Sequence, residues 1–413
     1  METLGSRIRT LRKQKKLTLE ALADHHITKG MLSLIENDKA NPSMETLYYI
    51  ADRLQVDISS LLAEVSIIEL RELLKKVEDI YNANTHFEDG PFLEMVHLIR
   101  PYIEKLPTCY ESGRLLFYYV RVQSRLKLDD WEQNLERGLA MFKEMNMMNE
   151  WVKMKILHFW TYFTNHHYEQ ALQVGLATET EIKNKNYRVD TITILDLLYD
   201  IAVTYLGIND LENGRDYLQK GLELSKKNRL FYKIDDIYRV ACYQAIMDGD
   251  DTARTYYFNK LEQYAIFAED KLSYSYLFLI QIHYYNSFAH DYEKASELLE
   301  RYHRIKVEDF TNTFFYIVEK GKNLYYLSHI DEALQELEKI KEIPHYLQHP
   351  YDLSMLAESY SYRALCYDKI GKLSRALEEA KKGVEFVAPF IDTPYKRFIN
   401  QTYDMLCQKA NSL

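Results

Sequence analysis

The stretch RIRTLRKQKKLTLEALADHHITKGMLSLIENDKANPSMETLYYIADRLQV, residues 7–56, decides the fold, because several helix starts can be read in it together with their caps. Leu4, Ile8 and Leu11 fall at i, i+4, i+7, so the spacing predicts a first helix from Leu4 to Lys16 with one apolar stripe. Thr18, behind the apolar Leu17, is an N-cap for a second short helix that carries Leu19, Leu22 and Ala23 and stops at Asp24-His25-His26. Thr28 caps a third, running to Asn37 with Leu32 and Ile35 facing inward. Asn41-Pro42-Ser43 punctuates the chain, and Ser43 opens a fourth helix with Leu47, Ile50, Ala51 and Leu54 on its inner face.

Outward from this stretch the composition agrees. Among 413 residues there are only 13 Gly and 8 Pro, which disfavours a turn-dense β-sandwich or barrel and makes helix the default. An apolar share of 47% with 28% charged residues describes a chain able to bury a sizeable core. The net charge of −10 excludes a general polyanion binder, so any nucleic-acid role has to sit on a locally basic segment. Residues 1–16 are that segment: Arg7, Arg9, Arg12, Lys13, Lys15 and Lys16 stand against Glu2 alone, leaving the excess acid to the rest of the chain. Cys109, Cys242, Cys366 and Cys407 are too far apart for a disulfide framework or a zinc-ligand set, and read as reduced thiols. No run approaches a membrane span and no apolar segment follows the basic start, so a cytoplasmic protein without membrane contact is expected.

Two short helices joined by a tight turn inside a small bundle form the helix-turn-helix arrangement, whose second helix can lie in a DNA major groove. The stretch resembles the Cro/C1-type (XRE) domain, a lambda-repressor-like bundle, at Leu22-Ala23, the Thr28 cap, Ile35-Glu36-Asn37, Pro42-Ser43 and Leu54; His26 stands where that family usually has Gly. The resemblance implies that residues 1–64 bind double-stranded DNA and that Lys29, Gly30, Ser33 and Leu34 read bases. Lys29 suits guanine or a phosphate, Ser33 can donate or accept, and Gly30 permits close approach of the backbone. Phosphate anchoring then falls to the helix start at Thr18 and to Lys13 and Lys39. Arg12 and Glu36 match a scaffolding ion pair that ties the first helix to the third.

Beyond Leu62, the register Ile67, Leu70, Leu74, Val77, Tyr81 predicts a linker helix over 65–83, followed by a loop from Asn84 to Pro91. From 84 to 413 the chain carries a weak repeat. Its small or packing residues Asn134, Ala171, Gly214, Ala253, Ala295, Ala333 and Ala376 step by 37, 43, 39, 42, 38 and 43. Ala202/Gly214/Leu218/Gly221, Gly321/Ala333/Leu337/Ile340 and Ala364/Ala376/Ala380/Gly383 show the pattern best, small residues allowing the two helices of a hairpin to approach. The spacing resembles a degenerate tetratricopeptide repeat, which implies a right-handed superhelix of helical hairpins with first helices lining a concave groove. An additional unit near 66–105 and a capping helix around Thr393–Lys409 complete the expectation of an all-α chain.

The combination is similar to the RRNPP family of Gram-positive peptide-sensing regulators, most closely its NprR type. That resemblance implies a re-imported signalling peptide held in the groove, a peptide-dependent homodimer or higher homo-oligomer, and a pseudo-palindromic operator. It also implies an alternative role in which the array sequesters a phosphorelay response regulator, as Rap-type relatives do. Groove candidates are Asn286, Asn323 and Asn400, since one amide can donate and accept on a peptide backbone; Arg114 or Arg121 for a peptide carboxylate; and Tyr199, Tyr284 and Tyr325. No cofactor, metal or catalytic residue is expected: His25-His26 and His166-His167 are sequence neighbours that a helix splays apart, and no phosphate loop or nucleophile elbow is present.

Overall fold

The computed structural model describes residues 3–62, 65–84, 88–305, 310–344 and 346–412, and every regular element among them is helical. The amino-terminal bundle consists of α1 (Leu4–Gln14), α2 (Leu19–Ala23), α3 (Lys29–Glu36), α4 (Met44–Arg53) and α5 (Ile58–Leu62). Next come α6 (Ile67–Ala83) and α7 (Asp89–Ile99), with a 3-10 turn at Arg100–Lys105, and then α8 (Tyr110–Arg125), α9 (Trp131–Glu144), α10 (Met148–Phe163) and α11 (Tyr168–Lys185). The remainder is α12 (Thr191–Gly207), α13 (Leu211–Asn228), α14 (Ile234–Asp248), α15 (Asp251–Phe267), α16 (Lys271–Tyr284), α17 (Tyr292–Ile305), α18 (Phe310–Tyr326), α19 (Ile330–Leu337), α20 (Pro350–Lys369), α21 (Leu373–Val387) and α22 (Pro394–Asn411). The chain divides into two compact units, Met1–Thr161 and Tyr162–Leu413.

In the first unit the bundle closes over Ile8, Leu22, Leu32, Ile35, Leu47, Ile50, Leu54 and Leu61. Gly5 lets α1 cross α3, because a Cβ there would lie 2.1 Å from the Ile35 carbonyl oxygen. Thr18, Thr28 and Ser43 cap their helices, accepting from the backbone N–H of Ala21, Met31 and Thr46. α1 ends two residues short of Lys16, which takes a left-handed conformation, and α3 ends at Glu36 with Asn37 as its C-cap. The expected domain boundary at residue 64 and part of the expected loop, 85–87, lie outside the described residues. That loop is shorter than the sequence suggests: Asp89, Gly90 and Pro91 already form the first turn of α7, where a missing proline N–H costs nothing.

The hairpin array is present. All seven anchor residues fall on second helices, α9 through α21, and the described residues of the segment 66–105, expected to add a unit, form α6, α7, their flanks and the turn after them. Small residues set the helix spacing: a Cβ on Gly113 would meet the Phe142 ring at 2.5 Å, one on Gly214 the Leu206 side chain at 2.6 Å, and one on Gly321 Leu337 Cγ at 2.4 Å. Within the second unit the start of α20 is pinned to α11 and α12. His349 Nε2 lies 3.0 Å from the Val203 carbonyl oxygen, and Tyr168 donates to the Gln348 carbonyl at 2.7 Å. All four cysteines are free, and burial pushes the thiols of Cys242 and Cys366 up to about 12. Among the described residues no helix is long and apolar enough to cross a membrane.

Candidate functional site: a helix-turn-helix head and a polar seam in the array

The head is held by one strong internal pair. Arg12 Nε donates to Glu36 Oε1 at 2.6 Å and its terminal nitrogen to Oε2 at 2.8 Å, while a further guanidinium nitrogen bonds the Leu17 carbonyl. Both side chains are buried, so α1 fixes the C-terminal end of α3 through a two-pronged, charge-assisted contact. The turn between α2 and α3 is fixed from α4. Asp24, not residue 26, takes the positive φ, which removes the need for Gly at His26. The His26 ring is stacked on Tyr49 at 4.2 Å, the Tyr49 hydroxyl donates to the Ala23 carbonyl, and Arg53 donates to that of Ala21.

This frame leaves one face of α3 open. Lys29 and Gly30 are exposed, Leu34 is 45% exposed, and Ser33 is half-buried, with its carbonyl accepting from Asn37. A Cβ on Gly30 would meet nothing closer than Thr28 Oγ1 at 4.0 Å, so the space above it is open. Lys13 and Lys39 are exposed as expected for anchoring groups. Sequence reasoning missed two features of this face. Met31 is as open as Leu34, and Lys29 is engaged by Glu20 of α2 at 2.7 Å.

Residues 5–67 match the profile of a helix-turn-helix domain. The head is a helix-turn-helix domain. A curated relative, the immunity repressor protein of Bacillus phage phi105, is 33% identical over 89 residues, 19% of this chain and 62% of the repressor; the chain thus spans under two thirds of that relative's length. Solved structures similar to this chain include Bacillus thuringiensis PlcR in complex with the peptide PapR7 and DNA, at 17% identity and a TM-score of 0.34, covering 65% of this chain and 99% of that one. ComR from S. thermophilus in complex with DNA and its signalling peptide ComS has 17% identity and a TM-score of 0.34, covering 67% and 97%. The Streptococcus dysgalactiae SHP pheromone receptor Rgg2 has 16% identity and a TM-score of 0.35, covering 68% and 98%.

In the array, the first helices of the second unit carry a seam of polar side chains. Lys322 of α18 has no exposed side-chain surface and donates to Glu358 at 2.7 Å, Ser287 at 2.9 Å and Glu319 at 3.2 Å. His283 Nδ1 lies 2.7 Å from Glu319; with its proton there, Nε2 accepts from the Tyr395 hydroxyl at 2.8 Å, so α16 meets α22. Burial alone would raise Glu319, but Lys322 and His283 outweigh it and hold the carboxyl at about 2. For Glu358 burial wins, and its carboxyl is raised despite Lys322. Farther along, Arg239 and Lys233 both pair with Asp236, and Tyr232 donates to Asp196.

The predicted groove residues meet different fates here. Asn286 and Asn323 are buried and turned to one another: Asn323 Nδ2 donates to Asn286 Oδ1 and to the Tyr292 carbonyl, while Asn286 Nδ2 donates to the carbonyl and carboxylate of Glu319. The expectation that these amides stand open is thereby corrected, because a buried amide needs partners and both find them within the seam. Asn286 reaches this position from a π-helical turn, Tyr285–Ala289, that ends α16. Tyr199 lies under Lys233, Tyr284 lies under Arg254 with its hydroxyl toward Asp251, Tyr325 stands edge-on to Tyr326 and Tyr362, and Asn400 is half-buried on α22. Arg114 and Arg121 belong to the first unit: Arg114 is already paired with Glu78 and Glu150, and Arg121 stacks over Tyr81. Lys322, Glu319, Glu358, His283 and Tyr395 were not legible as a group. The signal was a recurrence of polar residues 36 positions apart, as in His283/Glu319 and Lys322/Glu358.

Proposed function

We propose that this chain is a peptide-responsive transcriptional regulator of the RRNPP type and not an enzyme. The head binds a pseudo-palindromic double-stranded operator through the open face of α3, with Lys29, Gly30, Ser33 and Leu34 toward the bases and Lys13, Lys39 and the Thr18 helix start toward phosphates. The observation that carries this reading is the open α3 face, held from below by the Arg12–Glu36 pair and aimed by the His26–Tyr49 stack. A short peptide binds on the inner side of the first helices of the second unit. Tyr199, Tyr284, Tyr325 and Asn400 supply contact groups, and Asn286 and Asn323 position the helices behind them. Peptide binding changes the homo-oligomer and with it the placement of the heads, which is allostery between two sites.

Selection of a random duplex pool by the full-length protein tests the DNA half. Enrichment of a two-fold symmetric sequence that Lys29→Glu no longer retains, at unchanged circular dichroism, is the expected result; no enrichment overturns the reading. Titration with a synthetic heptapeptide pool, read as a shift in size-exclusion mass that Tyr199→Ala weakens, tests the peptide half.

A further inference from the structure

The Glu20–Lys29 contact has chemistry that neither residue has alone. Lys29 is the first residue of α3, the end from which a reading helix reaches base edges, and its ammonium lies 2.7 Å from Glu20 Oε1 with both side chains more than half exposed. An exposed ion pair of this kind adds little to stability, so holding the fold together does not explain it. A carboxylate beside the reading lysine also opposes the phosphates, since it cancels the charge that would attract them. The favourable interaction of a carboxylate with the first turn of α2 accounts for Glu20 being acidic, but not for its reach across to α3.

In the major groove a G·C pair presents acceptors on guanine, N7 and O6, beside one donor on cytosine, the N4 amino group. An ammonium and a carboxylate held side by side present the complementary pattern. Lysine donates to guanine while glutamate accepts from cytosine, of the same pair or of the adjoining step. With adenine in guanine's place the N6 donor faces the ammonium and thymine O4 the carboxylate, so like faces like; with thymine in guanine's place O4 and adenine N6 keep the order, but guanine's second acceptor N7 is replaced by the thymine methyl. The geometry points to Glu20 as a specificity-determining residue that reads cytosine N4 together with Lys29, making the couple a reader of one G·C pair in each half-site. This inference rests on the DNA-binding reading above. Glu20 is ionised for the task, since the hydrogen bond from Lys29 and the charge behind it hold its carboxyl below the usual range.

The test is the same random-duplex selection, run with the full-length protein and with Glu20→Gln. A glutamine amide prefers adenine N6/N7, so the substitution is expected to move the preference from cytosine to adenine at one position per half-site and to leave the others unchanged. In direct titration the native protein should prefer its own operator roughly tenfold over one with adenine in place of that cytosine, and Glu20→Gln should reverse this preference. Glu20 is exposed, so an unchanged melting curve is expected and confirms an intact fold. If Glu20→Gln keeps every base preference and only binds all duplexes more tightly with a steeper salt dependence, Glu20 is a phosphate-repelling charge and the inference is overturned. A native protein that enriches nothing overturns the DNA-binding reading itself, which is a separate outcome.

Discussion

Lys322 donates to Glu358 at 2.7 Å across two helices of the array with none of its side chain exposed, and the same ammonium also reaches Glu319. Two carboxylates therefore share one buried lysine, with His283 and Asn286 completing the hydrogen bonding of Glu319. Burying charges is costly unless each is paired and hydrogen-bonded, and in this seam the pairing joins α16, α18 and α20.

Removing Lys322 alone should therefore be severe. Lys322→Met leaves two carboxylates facing each other without a cation, and the expected loss is about 3–5 kcal/mol in urea unfolding. Adding Glu319→Gln and Glu358→Gln should restore most of that loss. A triple variant as unstable as the single one would show that the lysine's packing, and not its charge, holds the seam.

The Arg12–Glu36 pair should respond in a graded way. Lysine cannot reproduce the two-pronged fork, so Arg12→Lys is expected to lose about 1–2 kcal/mol, and Arg12→Ala about 3–5 kcal/mol because Glu36 is left buried without a partner. Operator affinity should fall in the same order, measured at a temperature where circular dichroism reports the native helix content.

Stability should decline on mild acidification. Burial, with a smaller effect of Lys155, holds the His158 imidazole down at about 4, and burial lowers His349 as well. An unfolded histidine titrates near ~6.5, so the unfolded chain binds protons first. The contribution of these neutral rings is complete above about pH 6.5 and is lost as pH falls from there, for His158 toward 4. Glu319, held at about 2, loses its contribution only below the ordinary glutamate range, as pH falls from ~4.3 toward 2. Melting temperature measured against pH should drop first over the histidine window, and His158→Gln should flatten that drop.

The head was legible almost residue by residue, and the array only as a rhythm. Caps such as Thr18, Thr28 and Ser43 act on the backbone three residues away, so local sequence contains the whole interaction. The small anchors were legible for a related reason, since a hairpin brings together residues twelve to sixteen apart, as with Gly321 and Leu337. The seam joins His283 to Tyr395 across 112 residues and Asn286 to Asn323 across hairpins whose loops vary in length. No periodicity announces which way an asparagine on a first helix turns. Asn286 turns inward because a π-helical turn rotates it, and that turn carries no sequence signature here. Asp24 taking the positive φ in place of residue 26 was hidden likewise, being set by the Tyr49 and Arg53 contacts from α4.

Two glycines separate packing from recognition. Both lie in helices, so alanine brings each about 1 kcal/mol of helix propensity. At Gly321 the new Cβ would stand 2.4 Å from Leu337 Cγ, a mid-chain atom in a fully buried side chain, so α18 and α19 must move apart. Overpacking of that kind costs about 1–3 kcal/mol, which exceeds the propensity gain, and Gly321→Ala should unfold at lower urea than the native protein. At Gly30 nothing lies closer to the added methyl than Thr28 Oγ1 at 4.0 Å, and the head should become slightly more stable. Yet the methyl stands on the α3 face proposed to meet the operator, where it separates backbone from base edges. Gly30→Ala should therefore bind the selected operator about tenfold more weakly while melting at an equal or higher temperature. Unchanged affinity in a stabilised Gly30→Ala head would place the DNA elsewhere than over the first turn of α3.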